Sequence, residues 1–300
     1  MKTVNDSYKA HEAWIDKILS EEEIEQTFAR LKNKKTVNYW RHDRMYSMLS
    51  PLLYDKSQKW LTVGDGIGSD ANWLECNGVE NVTASDIGGS FLEKSFEFGY
   101  IRKFEQANAE NLQFEDNQFD YVLCKEAYHH FPRPYLALYE MIRCTDKAII
   151  LIEPIDIAMH FPLFIYFKNL AGIILPSMVN KLWKNRFSYE EVGNYVYKIS
   201  ERELEKLAAG INLPMVAWKG INDFYSESMD MDQDIERGEV IKRVKRKIVF
   251  RDWLCKLRII PYQHMVAIVF KQKPNEKTLS LLKKEKFNII CVPSNPYLCK

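Results

Sequence analysis

From Trp60 onward, short apolar runs alternate with stretches whose apolar positions recur at helical spacing. The runs cover residues 60–63, 82–85, 121–124 and 148–152, and the helix-like stretches between them cover 70–76, 91–100 and 134–143. Strands that alternate with helices predict right-handed crossovers and a parallel sheet covered on both faces. The first fifty residues read as helices. Ser20 followed by Glu23 is a capping-box pattern, after which Ile24, Phe28 and Leu31 keep helical spacing. A basic, polar break at 32–35 leads to Tyr39-Trp40-Arg41-His42 and a second helical stretch reaching Leu53. After Ile152 the rhythm changes to an apolar, aromatic block at 155–183, then a helix whose start is marked by Ser200 and Glu203. Two further strands are predicted at 215–218 and 265–270. Between them an acidic run (230–239) precedes a basic one (242–247), a pattern that predicts a solvated, salt-bridged pair of helices.

Composition narrows the class. The 300 residues would suit two domains on length alone. Lys and Arg number 42 against 41 Asp and Glu, a formal net charge of +1, so bulk charge does not hold this chain to nucleic acid or an anionic membrane. With 46% hydrophobic residues it can build a core without disulfide or metal staples. Cys76, Cys124, Cys144, Cys255, Cys291 and Cys299 are scattered, without CxxC pairs or zinc-finger histidines, so no metal site is expected. The polar N-terminus lacks the apolar core of a secretion signal. The greasiest stretch, 155–179, is broken by Asp156, Pro162, Lys168 and Pro176, too often for a membrane span. A cytoplasmic protein is expected, with no nucleic-acid partner and no stable membrane insertion.

The most informative chemistry lies at 60–71, where a buried run leads through Gly64-Asp65-Gly66-Ile67-Gly68 into a helix. Glycines allow a tight turn and let backbone approach a ligand, and the helix start offers free N–H groups and partial positive charge. Gly66-x-Gly68-x-x-Ala71 also fits the dinucleotide fingerprint, so this loop alone leaves the ligand open. Asp86 ends the second run, where a carboxylate can accept hydrogen bonds from both hydroxyls of a ribose or cap the next helix.

A second series follows in order: Asn108-Ala109-Glu110-Asn111-Leu112, then Phe114 through Phe119-Asp120, then Glu126-Ala127-Tyr128-His129-His130-Phe131. With the glycine loop, this closely resembles the class I S-adenosylmethionine-dependent methyltransferases over residues 60–154. A nicotinamide enzyme has no reason to carry the second series. The resemblance implies an α/β, Rossmann-like, doubly wound and mostly parallel seven-stranded sheet, with N-terminal helices and a helical cap or insertions. It implies a cap at 1–56, a catalytic domain at 57–273 with insertions near 157–200 and 221–263, and an extension at 274–300. Gly64, Gly66 and Gly68 would line the methionine part of S-adenosylmethionine, with Asp86 on its ribose. Ile87, Asn108 and Ala109 would meet the adenine, and Lys125 and Glu126 would lie beside the sulfonium. Two positions depart from the family pattern. Thr62 replaces a frequent acidic residue, whose electrostatic role Asp65 would partly take over, and Asn108 replaces a frequent aspartate.

Methyl transfer to an oxygen benefits from a base titrating near neutrality, so His129 and His130 are the leading catalytic candidates, with Glu126 and Glu153 behind them. Arg41, on the helix before the first strand, is a candidate for the cofactor carboxylate because its fork pairs bidentately. The block at 159–166 falls where this fold places a substrate lid. Family association points to a small-molecule acceptor, a hydroxyl of a sugar or glycan precursor. A lipophilic acceptor such as a quinone precursor is the alternative, and a catalytically silent binding or assembly protein, using 221–263 as its surface, is the rival from another class.

Overall fold

The computed structural model describes residues 21–156, 162–175, 187–189, 194–236 and 238–297, together with 177 and 179. One sheet organises them, with strands β1 (Lys59–Val63), β2 (Asn81–Asp86), β3 (Phe104–Gln106), β4 (Phe119–Lys125), β5 (Thr145–Pro154), β6 (Met215–Ile221), β7 (His264–Phe270) and β8 (Asn288–Cys291). The order across it is β3-β2-β1-β4-β5-β7-β6-β8. Strands β1 to β5 pair in parallel, whereas β7 runs antiparallel to both β5 and β6. The chain winds outward from β1 in one direction and from β4 in the other. The carboxyl ends of β1 and β4 therefore splay apart at a topological switch point, where this architecture leaves a ligand crevice.

The helices are α1 (Glu21–Lys32), α2 (Val37–Tyr46), α3 (Ser69–Cys76), α4 (Gly89–Glu97), α5 (Pro134–Cys144), α6 (Pro162–Ile174), α7 (Glu201–Gly210), α8 (Glu239–Lys256) and α9 (Glu276–Lys284). The strands are buried on both faces, and successive residues divide between two cores. Ala148, Ile150 and Ile152 join Trp60, Leu74, Leu92 and Leu123 on one face. Ile149 and Leu151 join Val63, Val122, Leu138 and Met141 on the other. A third cluster, Val37, Met231, Ile241, Val244 and Ile248, packs α8 against α2. The capping box at Ser200 and Glu203 starts α7 as the sequence predicts.

Two features differ from expectation. The sheet has eight strands where seven are expected, because Asn288–Cys291 pairs antiparallel with β6. The described residues of the acidic run before Glu239 form no helix, and Glu239 itself opens α8. The run's aspartates fold back on their own backbone, Asp230 accepting from the Asp232 N–H at 3.1 Å and Asp234 from the Glu236 N–H at 2.7 Å, which favours turns over helix. The basic run is helical, in the first half of α8. Ser20, most of the aromatic block before α6 and Cys299 lie outside the described residues.

Helix α2 is tied to the segment after β6 by a buried ion pair. Arg41 Nε donates to Asp223 Oδ1 at 2.9 Å while Nη2 meets Oδ2. Removing one partner strands the other charge in the interior. Asp223→Ala is expected to cost about 3–5 kcal/mol of stability, and Arg41→Met with Asp223→Leu much less, as urea denaturation of the three variants would show.

Candidate active site

The crevice is built from the glycine loop upward. Gly64, Gly66 and Gly68 have φ of 71°, 55° and 81°, a left-handed run that turns β1 into α3. A Cβ on Gly64 would sit 2.4 Å from Ala127 Cβ, so the loop after β4 packs directly on this glycine. A Cβ on Gly66 would meet nothing within 4 Å, so here bare backbone faces open space. Asp86 braces the turn, accepting from the Gly66 N–H and the Gly88 N–H, both at 2.8 Å. Asp65 points inward. It accepts from the Thr62 hydroxyl at 2.6 Å and from the Asp70 and Ala71 N–H groups at 2.8 and 2.9 Å, capping α3. Thr62, at the position that departs from the family pattern, is therefore what holds Asp65. Burial and the neighbouring Asp70 push the Asp65 carboxyl well above the usual range.

Two cavities open against this loop, and a third adjoins them at Glu126. The first, about 220 Å³, runs along Gly64, Gly66, Asp86, Ile87, Asn108, Ala109 and His130. The second, about 480 Å³, lies between the N-terminal helices and α3, against Tyr39, His42, Tyr46, Asp70, Trp73 and Lys125. The Tyr46 hydroxyl donates to Asp70 Oδ1, while Asp70 Oδ2 is buried without a hydrogen-bond partner among the described residues. Burial, against the opposing pull of Lys125 and Tyr46, pushes Asp70 up to about 6. The third, about 740 Å³, has Phe224, Tyr225, Phe250, Leu254 and Ile260 on its walls, with Arg41, Lys247, Arg251, Gln263 and His264. Arg251 Nε and His264 Nδ1 are likewise buried without a partner among the described residues.

Glu126 lines all three. It sits at φ 50°, an unusual conformation for a glutamate, just past the end of β4. Lys125 Nζ donates to its Oε2 at 2.8 Å, with His42 Nδ1 at 3.9 Å and His264 Nε2 at 3.7 Å. Burial works to raise its pKa, but Lys125, His42 and His264 prevail and hold it at about 2. For Lys125, burial is likewise outweighed, by Asp70 and Glu126, and its pKa is raised. Burial and Lys125 lower His42 to about 4, and burial lowers His264 against the pull of Glu126, so both imidazoles are neutral at neutral pH.

The loop that carries Glu126 hangs from Glu153. This buried carboxylate accepts from the Ala127 and Tyr128 N–H groups at 2.8 and 2.9 Å and meets His129 Nδ1 at 2.6 Å.

The structure thus gathers Gly64, Gly66, Asp86, Ile87, Asn108, Ala109, Glu126 and His130 at one cleft, and Lys125 with Asp65 at the adjoining cavity. Gly68 instead caps α3, where a Cβ would come 2.7 Å from Ile101 Cγ2. His129 lines none of the three cavities. Arg41 stands apart from the glycine loop, its fork committed to Asp223 at the third cavity. Sequence reasoning missed Asp70, Tyr46, Asp223 and His264. His264 opens an otherwise apolar strand and no local pattern marks it.

Residues 61–152 match the family model described as a methyltransferase domain. A ubiquinone/menaquinone biosynthesis C-methyltransferase, UbiE, from Agrobacterium fabrum is 35% identical over 117 residues, 36% of this chain and 44% of that protein. The chain thus spans less than half the length of this curated relative. Among solved structures, a methyltransferase from Thermotoga maritima has 15% identity and a TM-score of 0.48, covering 89% of this chain and 100% of that one. One from Archaeoglobus fulgidus has 15% identity and a TM-score of 0.46, covering 77% and 94%. The family match, the strand order and the glycine loop identify the segment as a class I methyltransferase domain, whose cofactor is S-adenosylmethionine.

Asp70 yields a test of the site's electrostatics. A carboxyl held at about 6, against an ordinary 3.8, favours the fold when protonated and burdens it when ionised. Asp70→Asn is therefore expected to leave Tm unchanged near pH 4 and to raise it above pH 6, the gap opening between the two values. Thermal melts across that range check it.

Proposed function

We propose that the protein transfers a methyl group from S-adenosylmethionine to an apolar, ring-bearing small molecule that carries a hydroxyl. The observation that carries this reading is Glu126, a single side chain shared by the glycine-loop cleft, the cavity beneath the N-terminal helices and the aromatic third cavity.

The residues present suit the cofactor. Gly66 offers backbone without a side chain in the way. Asp86 would take the ribose hydroxyls, and Ile87, Asn108 and Ala109 the adenine. The Asp70 oxygen that has no partner among the described residues suits the ammonium of the amino-acid end, and Lys125 its carboxylate. Glu126, ionised even in acid, favours a neighbouring cation. When bound, S-adenosylmethionine supplies a methyl group activated on a sulfonium. The chain's part is to align the acceptor and take its proton.

Residues of the third cavity are proposed for the acceptor. Phe224, Tyr225, Phe250, Leu254 and Ile260 offer apolar and aromatic surface for a ring, beside polar groups such as Arg251 and His264 that suit a ring hydroxyl. The relatives' printed name, a quinone-biosynthesis C-methyltransferase, points to the same lipophilic class. His264 is assigned the proton. Neutral, with Nδ1 unpartnered among the described residues, it accepts from the ring hydroxyl, and the Glu126 carboxylate 3.7 Å from Nε2 stabilises the imidazolium that forms. Loss of that proton raises electron density on the oxygen and on the adjacent ring carbon. His129, held by Glu153, and His130, in the glycine-loop cleft, are assigned positioning roles.

Calorimetric titration with S-adenosylmethionine, S-adenosylhomocysteine and NAD tests the class. The two sulfur nucleotides are expected to bind on the order of micromolar, NAD not at all, and Asp86→Ala to weaken binding about tenfold or more. Binding of NAD alone overturns the reading, and cofactor binding without turnover of any acceptor favours a silent binding protein. With a turned-over acceptor, His264→Gln is expected to lower kcat on the order of a hundredfold or more while S-adenosylhomocysteine binding stays constant. An unchanged kcat removes His264 from the mechanism.

A further inference from the structure

We propose that the exposed face of α8 docks on the surface of an anionic lipid bilayer. The 18-residue helix carries seven Lys and Arg against two acidic residues, in a chain whose net charge is only +1. Its inner side, Ile241, Val244, Ile248 and Cys255, is buried. The opposite side is divided along its length. Lys242, Arg243, Lys245 and Arg246 occupy the first half, all exposed. Val249, Phe250, Trp253 and the following Leu257 occupy the second, each more than half exposed at 65%, 58%, 54% and 51%.

This division fits a bilayer interface. A helix lying in that plane sinks its apolar side chains at the headgroup–acyl boundary while Lys and Arg meet the lipid phosphates. Trp253, stacked on Phe250 with ring centroids 6.2 Å apart, has the amphipathic ring favoured at that depth. No described helix is long and apolar enough to cross a membrane, so the contact is peripheral. Nucleic acid would satisfy the basic half and leave the apolar half in water. A second copy of this chain would bring the same excess of positive charge against itself.

The patch also continues into the aromatic cavity. Phe250 and Tyr225 are exposed and at the same time line that cavity, and exposed Ile259 precedes its Ile260. A bilayer against α8 would therefore lie at the cavity's mouth. The docking surface itself uses no residue of the glycine-loop cleft, so it can fail while the methyl-transfer reading stands, and the reverse.

Flotation of the full chain with vesicles tests it. The protein is expected to float with phosphatidylcholine–phosphatidylglycerol vesicles and much less with phosphatidylcholine alone. Lys242→Glu with Arg246→Glu, and separately Val249→Ser with Trp253→Ser, are each expected to weaken flotation on the order of tenfold or more. Both variants should keep S-adenosylhomocysteine affinity, which certifies their folding. No flotation by the wild type, or equal flotation by wild type and both variants, overturns the proposal. So does a concentration-dependent dimer, or retention of duplex RNA, in place of vesicle binding.

Discussion

A carboxylate fully removed from solvent, Glu153 at the end of β5, sets the geometry on which the site depends. Burying such a group costs several kcal/mol unless donors surround it. Two successive backbone N–H groups and an imidazole do so, and all three come from the single turn after β4. That turn must leave the sheet abruptly, which places Glu126 in the left-handed region with its N–H on Ile152 O. Ala127 is thereby held against Gly64, where only glycine fits. One buried charge on β5 thus sets the spacing between the loops that follow β1 and β4, the two walls of the crevice.

The charges around that crevice settle one another. Against its burial Glu126 keeps its negative charge chiefly because Lys125 bonds to it, and His42 and His264 beside it are neutral because burial outweighs the pull of Glu126. A neutral imidazole beside a fixed carboxylate can receive a proton without leaving an isolated cation behind. Asp70, farther along the same cavity, is held on the opposite side of its ordinary range by burial. A cationic ligand against it would relieve that penalty, which ties cofactor affinity to the same electrostatics that weaken the empty fold.

Charge distribution also matters on the outer surface. A net charge of +1 describes the sum over the chain and says nothing of where the charges gather. The acidic residues before α8 are spent on their own turns and on contacts such as Arg30–Asp232, while the basic residues after them stand on one exposed helix. Bulk neutrality and a local basic, apolar face coexist because the acidic and basic runs, adjacent in the sequence, fold into different elements.

Wherever the physics is local, the sequence was legible. Apolar runs flanked by turn residues place β1, β2, β4, β5, β6 and β7, and the glycine loop is legible because its left-handed turn into α3 is made by neighbours in the chain. Strand β3 has three residues with Phe104 as its only apolar one, and β8 is an edge strand, so neither leaves much pattern to read. Tertiary structure alone decided the rest. Arg41 meets Asp223 across 182 positions, which turns a candidate cofactor ligand into a strut. His264 reaches Glu126 only because β7 enters the sheet antiparallel beside β5, and Glu153 finds its donors 24 to 26 residues back along the chain. Residue type and spacing determine what a segment can become. Which buried charges neutralise one another is set by strand order and register, which no single segment encodes.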